Sequence, residues 1–404
     1  MSQIDHQHSR NSWLVVAASA LILALAMGSI VNGMSAFVVP LEQLHGWSRA
    51  DVSLINVFGI MGMSFGGLLM GTLADRFGVR PVVLFGCAVM GVTYLAASRA
   101  EQLWQLYALM AVAGFFGAAA IFAPILSLVG KWFPVGAGLA IGIVSAGQAL
   151  GQGGVPFASA LLITSFGVSG AFAITGLIML GILLPLASLL KPAQVAKDKT
   201  VNVPRESDYP PIRLVVPRMC IAIFLCCTCM AVPLMHLVPH IQGQGHSADQ
   251  AGSVIFVMLL MGILGRVFFG RLADMIGAIP AYMIATAWMT LLIYGFILIQ
   301  DLSAFYMYGL LYGFGYAGVM TGVLTTIAAH TPPSKRGFAM GVVTMFGWFG
   351  HANGGFLGGY FFDWTGDYSI AFGTAAAAGV LNLAVVGTLY LRINTGGPAQ
   401  SVPA

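Results

Sequence analysis

The chain has 404 residues, of which 58% are hydrophobic and only 7% charged, with a formal net charge of +4. Soluble domains carry roughly 25% charged residues, so a water-exposed globular surface is excluded. Fifty-two glycines fit a bundle of membrane helices, and strand-length alternation, the mark of an outer-membrane barrel, is absent.

The predicted elements are apolar runs of about 20 residues or more, the length that crosses a bilayer. The first, 13–39, is too long for the ~7–15-residue core of a cleaved signal. Asn32 and Ser35 break its apolar pattern beside Gly28 and Gly33. Runs at 50–73, 79–97 and 103–128 follow, then 135–163, which holds Gln152, and 169–190. The segment 191–213 is polar and rich in proline and lysine, and reads as a linker. The seventh run, 214–238, holds Cys220, Cys226, Cys227 and Cys229, read as small apolar filler because no partner pair stands at metal-site spacing. Pro233 and Pro239 flank His236, so a break is expected near the end of this run.

The eighth run, 250–272, contains Arg266 about two-thirds of the way along. After a ninth run at 279–299, the tenth, 302–328, places Tyr308, Tyr312 and Tyr316 on one helix face, as cavity lining or as a packing stripe. His351 and Asn353 lie in the eleventh, 337–362, and the twelfth spans 368–391. The expected fold is an all-α membrane protein of twelve transmembrane helices in two six-helix halves, 1–190 and 214–404, joined by the linker.

Fourteen of the 17 basic residues fall on one side of this layout. Only Arg49 and Arg99 fall on the other, while Arg266 lies within the membrane. Positive loops stay inside, which predicts cytoplasmic termini and, for a bacterial chain, the inner membrane. A repeat at a constant offset of 199 residues relates the halves. "GTLADRFGVRP" (71–81) aligns with "GRLADMIGAIP" (270–280), and Gly66 with Gly265, Gly142 with Gly341, Gly151 with Gly350. Parallel six-helix repeats with a site between them near the midplane are a transporter layout.

Gly71 to Arg80 resembles the loop between helices 2 and 3 of the major facilitator superfamily, and the copy from Gly270 is a degraded version. "GWSRADVS" (46–53) and "KWFPVGAGLAIGI" (131–143) are similar to segments of monocarboxylate transporters and their oxalate/formate-antiporter-like relatives. The resemblance implies that Gly71, Asp75, Arg76, Gly78 and Arg80, with Gly270 and Asp274, form a cytoplasmic gate motif. A purely topogenic basic loop is the alternative. The family's helix-8 aspartate is Gly262 here, and its paired arginines before helix 5 are Gly136 and Ala137.

All 13 acidic residues fall in termini, loops or helix ends, so Arg266 has no carboxylate at its depth. Intramembrane charge costs at least about 2.5–3.5 kcal/mol and normally faces a cavity on a substrate or ion path. A guanidinium there matches a carboxylate bidentately, and the resembling family carries an arginine at this place on helix 8. Snorkelling to the interface or binding carbonyls is the alternative. The candidate substrate site is Arg266, Asn32, Ser35, Gln152, His351, Asn353, Tyr312 and Tyr316. With no membrane carboxylate, the candidate proton carriers are His351 and His236, since histidine titrates near neutral pH.

The expected function is secondary active uptake of small organic anions, monocarboxylates first, coupled to protons, by a monomer in the lipid bilayer that needs no cofactor and no nucleic acid. Anion exchange of the oxalate/formate type and drug or metabolite efflux are the alternatives. "GVSG" (167–170) literally matches an intramembrane serine-protease motif, but Ser169 lies at the outer start of helix 6 and the repeat does not fit that fold.

Overall fold

The apolar runs fold as helices, and no strand occurs among the described residues. The structure is a computed structural model that describes residues 3–132, 137–191 and 209–395. Helix α1 covers 3–45, α2 Arg49–Phe77, α3 Val79–Ala97 and α4 103–132. A single helical stretch, Ala137–Ile178, turns at Gly167 (φ 71°, ψ 177°), which divides α5 (137–166) from α6 (168–188). In the second half α7 is Ile212–Gly243, α8 Ala248–Ile276 and α9 278–298. Last come α10 Leu302–His330, α11 Pro333–Thr365 and α12 Ser369–Thr395. Most of the predicted linker, residues 192–208, lies outside the described residues.

Among the described residues, ten segments are long and apolar enough to span a membrane. One of them, Ile143–Ser188, contains most of α5 and all of α6, and α11 is not among them. The buried side chains form two cores, one drawn from 15–190 with Met235, the other from 215–389. Large side chains such as Trp104, Leu291 and Leu298 stand exposed, as a lipid-facing surface requires.

Glycines set the packing within each half, and they do so twice. A Cβ on Gly66 of α2 would run into the Phe115 carbonyl of α4; one on Gly265 of α8 would run into the Phe314 carbonyl of α10. Likewise Gly114 abuts the Gly59 carbonyl, and Gly313 abuts the Met258 carbonyl. Each second member lies 199 residues after the first. Without strong hydrophobic drive between helices in lipid, such close backbone approach is what holds a bundle. The repeated loops match in backbone too: Gly78 has φ 90° and ψ 154°, Gly277 φ 95° and ψ 154°, and each N–H returns to the alanine four residues back. A positive φ here is open to glycine and strained for other residues.

The halves meet along α2–α11 and α5–α8. At the outer end of the first pair, a Cβ on Gly359 would lie 2.6 Å from both Arg49 O and Ser53 Oγ. Further in, the Phe65 and Phe349 rings sit 5.6 Å apart. Beyond them Gly67, Gly71 and Gly341 have nothing within 4 Å of a Cβ. In the second pair, Gly252 packs on Phe157 at 3.1 Å and Gly153 on Phe256 at 3.0 Å.

The break expected in α7 is not there. Pro217, Pro233 and Pro239 all lie inside one continuous helix. Membrane helices tolerate proline when a neighbour re-satisfies the freed groups and fixes the path. Here Gly350, Gly354 and Gly358 of α11 bring its backbone against α7 at Phe224, Thr228 and His236. The break falls in α1 instead. After Met27 the turn widens over Gly28–Asn32, then tightens to a 3-10 turn over Gly33–Phe37.

Candidate functional site at the interface of the halves

The irregular part of α1 frees carbonyls that other helices collect. Tyr94 Oη on α3 donates to Ser29 O (3.0 Å), and Asn56 Nδ2 on α2 lies 3.0 Å from both Ile30 O and Val31 O. Asn32 Nδ2 donates to Gln152 O on α5 at 3.0 Å. What is left over is acceptor and hydroxyl: Asn32 Oδ1, Ser35 Oγ and Asn56 Oδ1 are buried with no protein partner. Asn32 ends the widened turn and Ser35 lies in the 3-10 turn that follows it.

His351 comes to this place from the other half. Its ring is 6% exposed, has the Val31 backbone as its electrostatic neighbour, and leaves Nε2 without a partner. Gln152 is 7% exposed. The symmetry-matched pair Gln152 and His351 thus converges on the broken turn of α1 with Asn32. Asn353 does not join them. It is held against α7, with Nδ2 3.3 Å from Thr228 Oγ1.

Arg266 forms a second layer. Its Nη1 donates to Ser145 O of α5 at 3.0 Å, which crosses between halves, and its Nε has no partner. No carboxylate lies within ion-pair distance of it among the described residues. The residue keeps some accessible surface although it lies deep among neighbours. Of the alternatives to a substrate role, the contact with a backbone carbonyl is the one found, through Ser145 O. Ser145 precedes Gln152 by seven residues, so the two layers stand about 10 Å apart along α5.

The tyrosine stripe divides into three environments. Tyr316 is the electrostatic neighbour of Arg266. Tyr312 stacks on Tyr316 at 5.9 Å and is packed inside the second core beside Phe296, its hydroxyl unpartnered. Tyr308 turns away and donates to Leu292 O of α9 at 2.6 Å. Only Tyr316 stands at the charged layer.

His236 belongs to a different region. It is fully buried, its Nε2 sits 2.7 Å from Gly355 O, and its ring lies 5.4 Å from that of Tyr368. Gly355 is one turn from His351 along α11, so His236, on α7, packs against α11 one turn away from His351. In the 71–80 loop, Arg76 and Arg80 are exposed, with the Arg76 guanidinium 5.3 Å from the Phe77 ring. Ser169, at the start of α6, donates to Ser98 O at 2.6 Å.

Sequence reasoning missed Asn56, Ser145, and an outer cluster around Arg49. Asn56 is a buried polar residue in an apolar run and could have been noticed. Ser145 contributes only its carbonyl, which no sequence pattern reports. The five cysteines are all free and buried, and no group of three or more potential metal ligands occurs among the described residues.

Two deep layers of polar atoms between pseudo-symmetric helix bundles can hold a polar solute and pass it between two sides. A family model described as Major Facilitator Superfamily matches residues 20–231 and 219–404. The chain is similar to Monocarboxylate transporter 13 of Bos taurus, 28% identical over 371 residues, covering 90% of this chain and 86% of that protein. It is also similar to Agnestins efflux protein AgnL12 of Paecilomyces divaricatus, 24% identical over 339 residues, with 82% and 77% covered. Among solved structures, nucleoside transporter NupG superposes with a TM-score of 0.73 at 14% identity, over 94% of this chain and 100% of that one.

Proposed function

The chain belongs to the Major Facilitator Superfamily, and on that premise we propose that this integral membrane transporter carries small organic anions, monocarboxylates first, with uptake driven by protons. The observation that carries the reading is Arg266. A guanidinium deep between the halves, bonded to one carbonyl and with Nε unpartnered, is stabilised most by a ligand that brings a full negative charge.

A carboxylate arriving at Arg266 replaces the Ser145 carbonyl as its acceptor. That exchange removes a bond between α5 and α8 while it neutralises the charge, so binding and separation of the two helices are linked. Tyr316 supplies a neighbouring phenol. The Asn32, Ser35, Gln152 and His351 layer receives polar atoms of the cargo one step further along the path. His351 is the first proton carrier, because it alone of the candidates links the broken turn of α1 to α11; His236 is the second.

The basic loops put both termini in the cytoplasm of a bacterial inner membrane, and the chain works as a monomer with halves 1–190 and 214–404 rocking about the site. The 71–80 motif closes the cytoplasmic side when the outer side opens. Efflux of a metabolite is the second reading, favoured by the likeness to Agnestins efflux protein AgnL12.

The test is a thermal-shift screen of carboxylates on purified protein beside Arg266→Ala. A ligand at 100 times its Kd stabilises by about 2.7 kcal/mol. Stabilisation by a monocarboxylate that disappears in Arg266→Ala is expected. Equal stabilisation of both proteins would remove Arg266 from the site, and a response confined to uncharged or cationic compounds would overturn the substrate class.

A further inference from the structure

We propose that Asp363 and Arg49 form the outer latch of the transport cycle, in which the open N-terminus of α2 is capped by a carboxylate from the opposite half. The first N–H groups of any helix lack intrahelical partners. In α2 these are shared between two acceptors. Ser48, the residue before the helix, takes Asp51 N at 3.1 Å. Asp363, at the outer end of α11, takes the other two, with Oδ1 3.0 Å from Arg49 N and Oδ2 2.7 Å from Ala50 N. A carboxylate at a helix N-terminus also meets the positive end of its dipole.

The Arg49 side chain completes the closure. It is 9% exposed, with its guanidinium carbon 3.6 Å from the centre of the Phe362 ring. Its Nη1 donates to Tyr368 Oη at 2.8 Å, and its Nε pairs with Glu42 Oε2 at 2.8 Å. Thus a cation of the first half is enclosed by aromatic and polar groups of the second. Beneath it Gly359 admits α2 to near contact, and Ser53, bonded to Arg49 O at 2.7 Å, is fully buried.

The other copy has no such device. The position matching Asp363 is Thr164, whose hydroxyl returns to Ala160 O of its own helix at 2.9 Å. Ser247 and Gln250 cap the start of α8 locally. The outer seal is therefore made on one side of the pseudo-axis only. Cargo cannot reach the two polar layers from outside while it holds, so its release is a step of transport.

This inference rests on the alternating-access reading, but its test uses no substrate. Ser53→Cys is introduced into protein whose five buried cysteines are replaced, and its labelling by a hydrophilic thiol reagent is timed in detergent. Slow labelling in the parent is expected, with a rise of about 10-fold or more in Asp363→Ala and in Arg49→Ala, and a smaller rise in the isosteric Asp363→Asn. Monodispersity on gel filtration separates an opened latch from unfolding. Unchanged labelling in monodisperse Asp363→Ala and Arg49→Ala overturns the latch. So does an equal rise in Thr164→Ala, which would mean general loosening.

Discussion

At positions 66 and 265 the two halves do the same thing: each glycine lets its helix press on a carbonyl of the next-but-one helix, Phe115 in one case and Phe314 in the other. One residue later they part. Gly67 faces open space, whereas Arg266 reaches to Ser145 across the interface. The same separation runs through the molecule. Gln152 answers His351, irregular α1 answers continuous α7, and Asp363 at the outer seal answers Thr164. The repeat conserves backbone approach, and the functional groups depart from it. A site that faces both halves but is charged from one has a fixed orientation for its ligand.

Breaking the shared part has the largest expected effect. Gly66→Leu and Gly265→Leu each drive a side chain into backbone, where overpacking costs about 1–3 kcal/mol or more. Both variants are expected to lose several degrees of melting temperature or fail to purify as single species, while Gly67→Ala stays within about 0.5 kcal/mol of the parent. Equal tolerance of Leu at 66 and 265 would show that these approaches do not hold the bundle.

Sharpening the contrast between Gln152 and His351 comes next. His351→Gln makes the two copies alike and is expected to preserve counterflow exchange yet abolish accumulation driven by a pH gradient. Accumulation at the parental level would take His351 out of coupling and leave His236 to be tested in the same assay. The smallest effect concerns the tyrosines. Tyr316→Phe is expected to weaken carboxylate binding by roughly fivefold, the worth of about one hydrogen bond, and Tyr308→Phe to leave affinity unchanged while lowering stability by about 1 kcal/mol. If titration calorimetry ranks them the other way, the lining face of α10 has been assigned incorrectly.

Much of the fold was legible because glycine spacing is a sequence property and the same register recurs in space. Arg266 was legible for a similar reason: charge in an apolar run has few stable placements. The irregularity of helices was harder. Pro233 and Pro239 pointed to α7, where α11 holds the helix intact, whereas α1 breaks at glycines that look like ordinary packing glycines. Asp363 and Arg49 lie where charge is ordinary, at helix ends, and nothing local reveals that they meet across 314 residues. Arg49 did carry one hint, as one of two basic residues on the side where such residues are rare. Tyr308, Tyr312 and Tyr316 shared a face by spacing, yet three different neighbours claimed them, and neighbours are set by tertiary packing.

Gly167 joins α5 to α6 with a single residue out of helical conformation. Such a joint leaves no intervening loop, so the outer tip of α5 is clamped directly to α6, with Pro156 between that tip and Ser145. Ser145 lies 22 residues below that clamp, a lever arm of about 33 Å. Tilting α5 by some ten degrees sweeps the Ser145 end through about 6 Å, the width of a small carboxylic acid. On the proposed reading of Arg266, a tilt that leaves the outer loops in place would be magnified at that depth into a gap of this size.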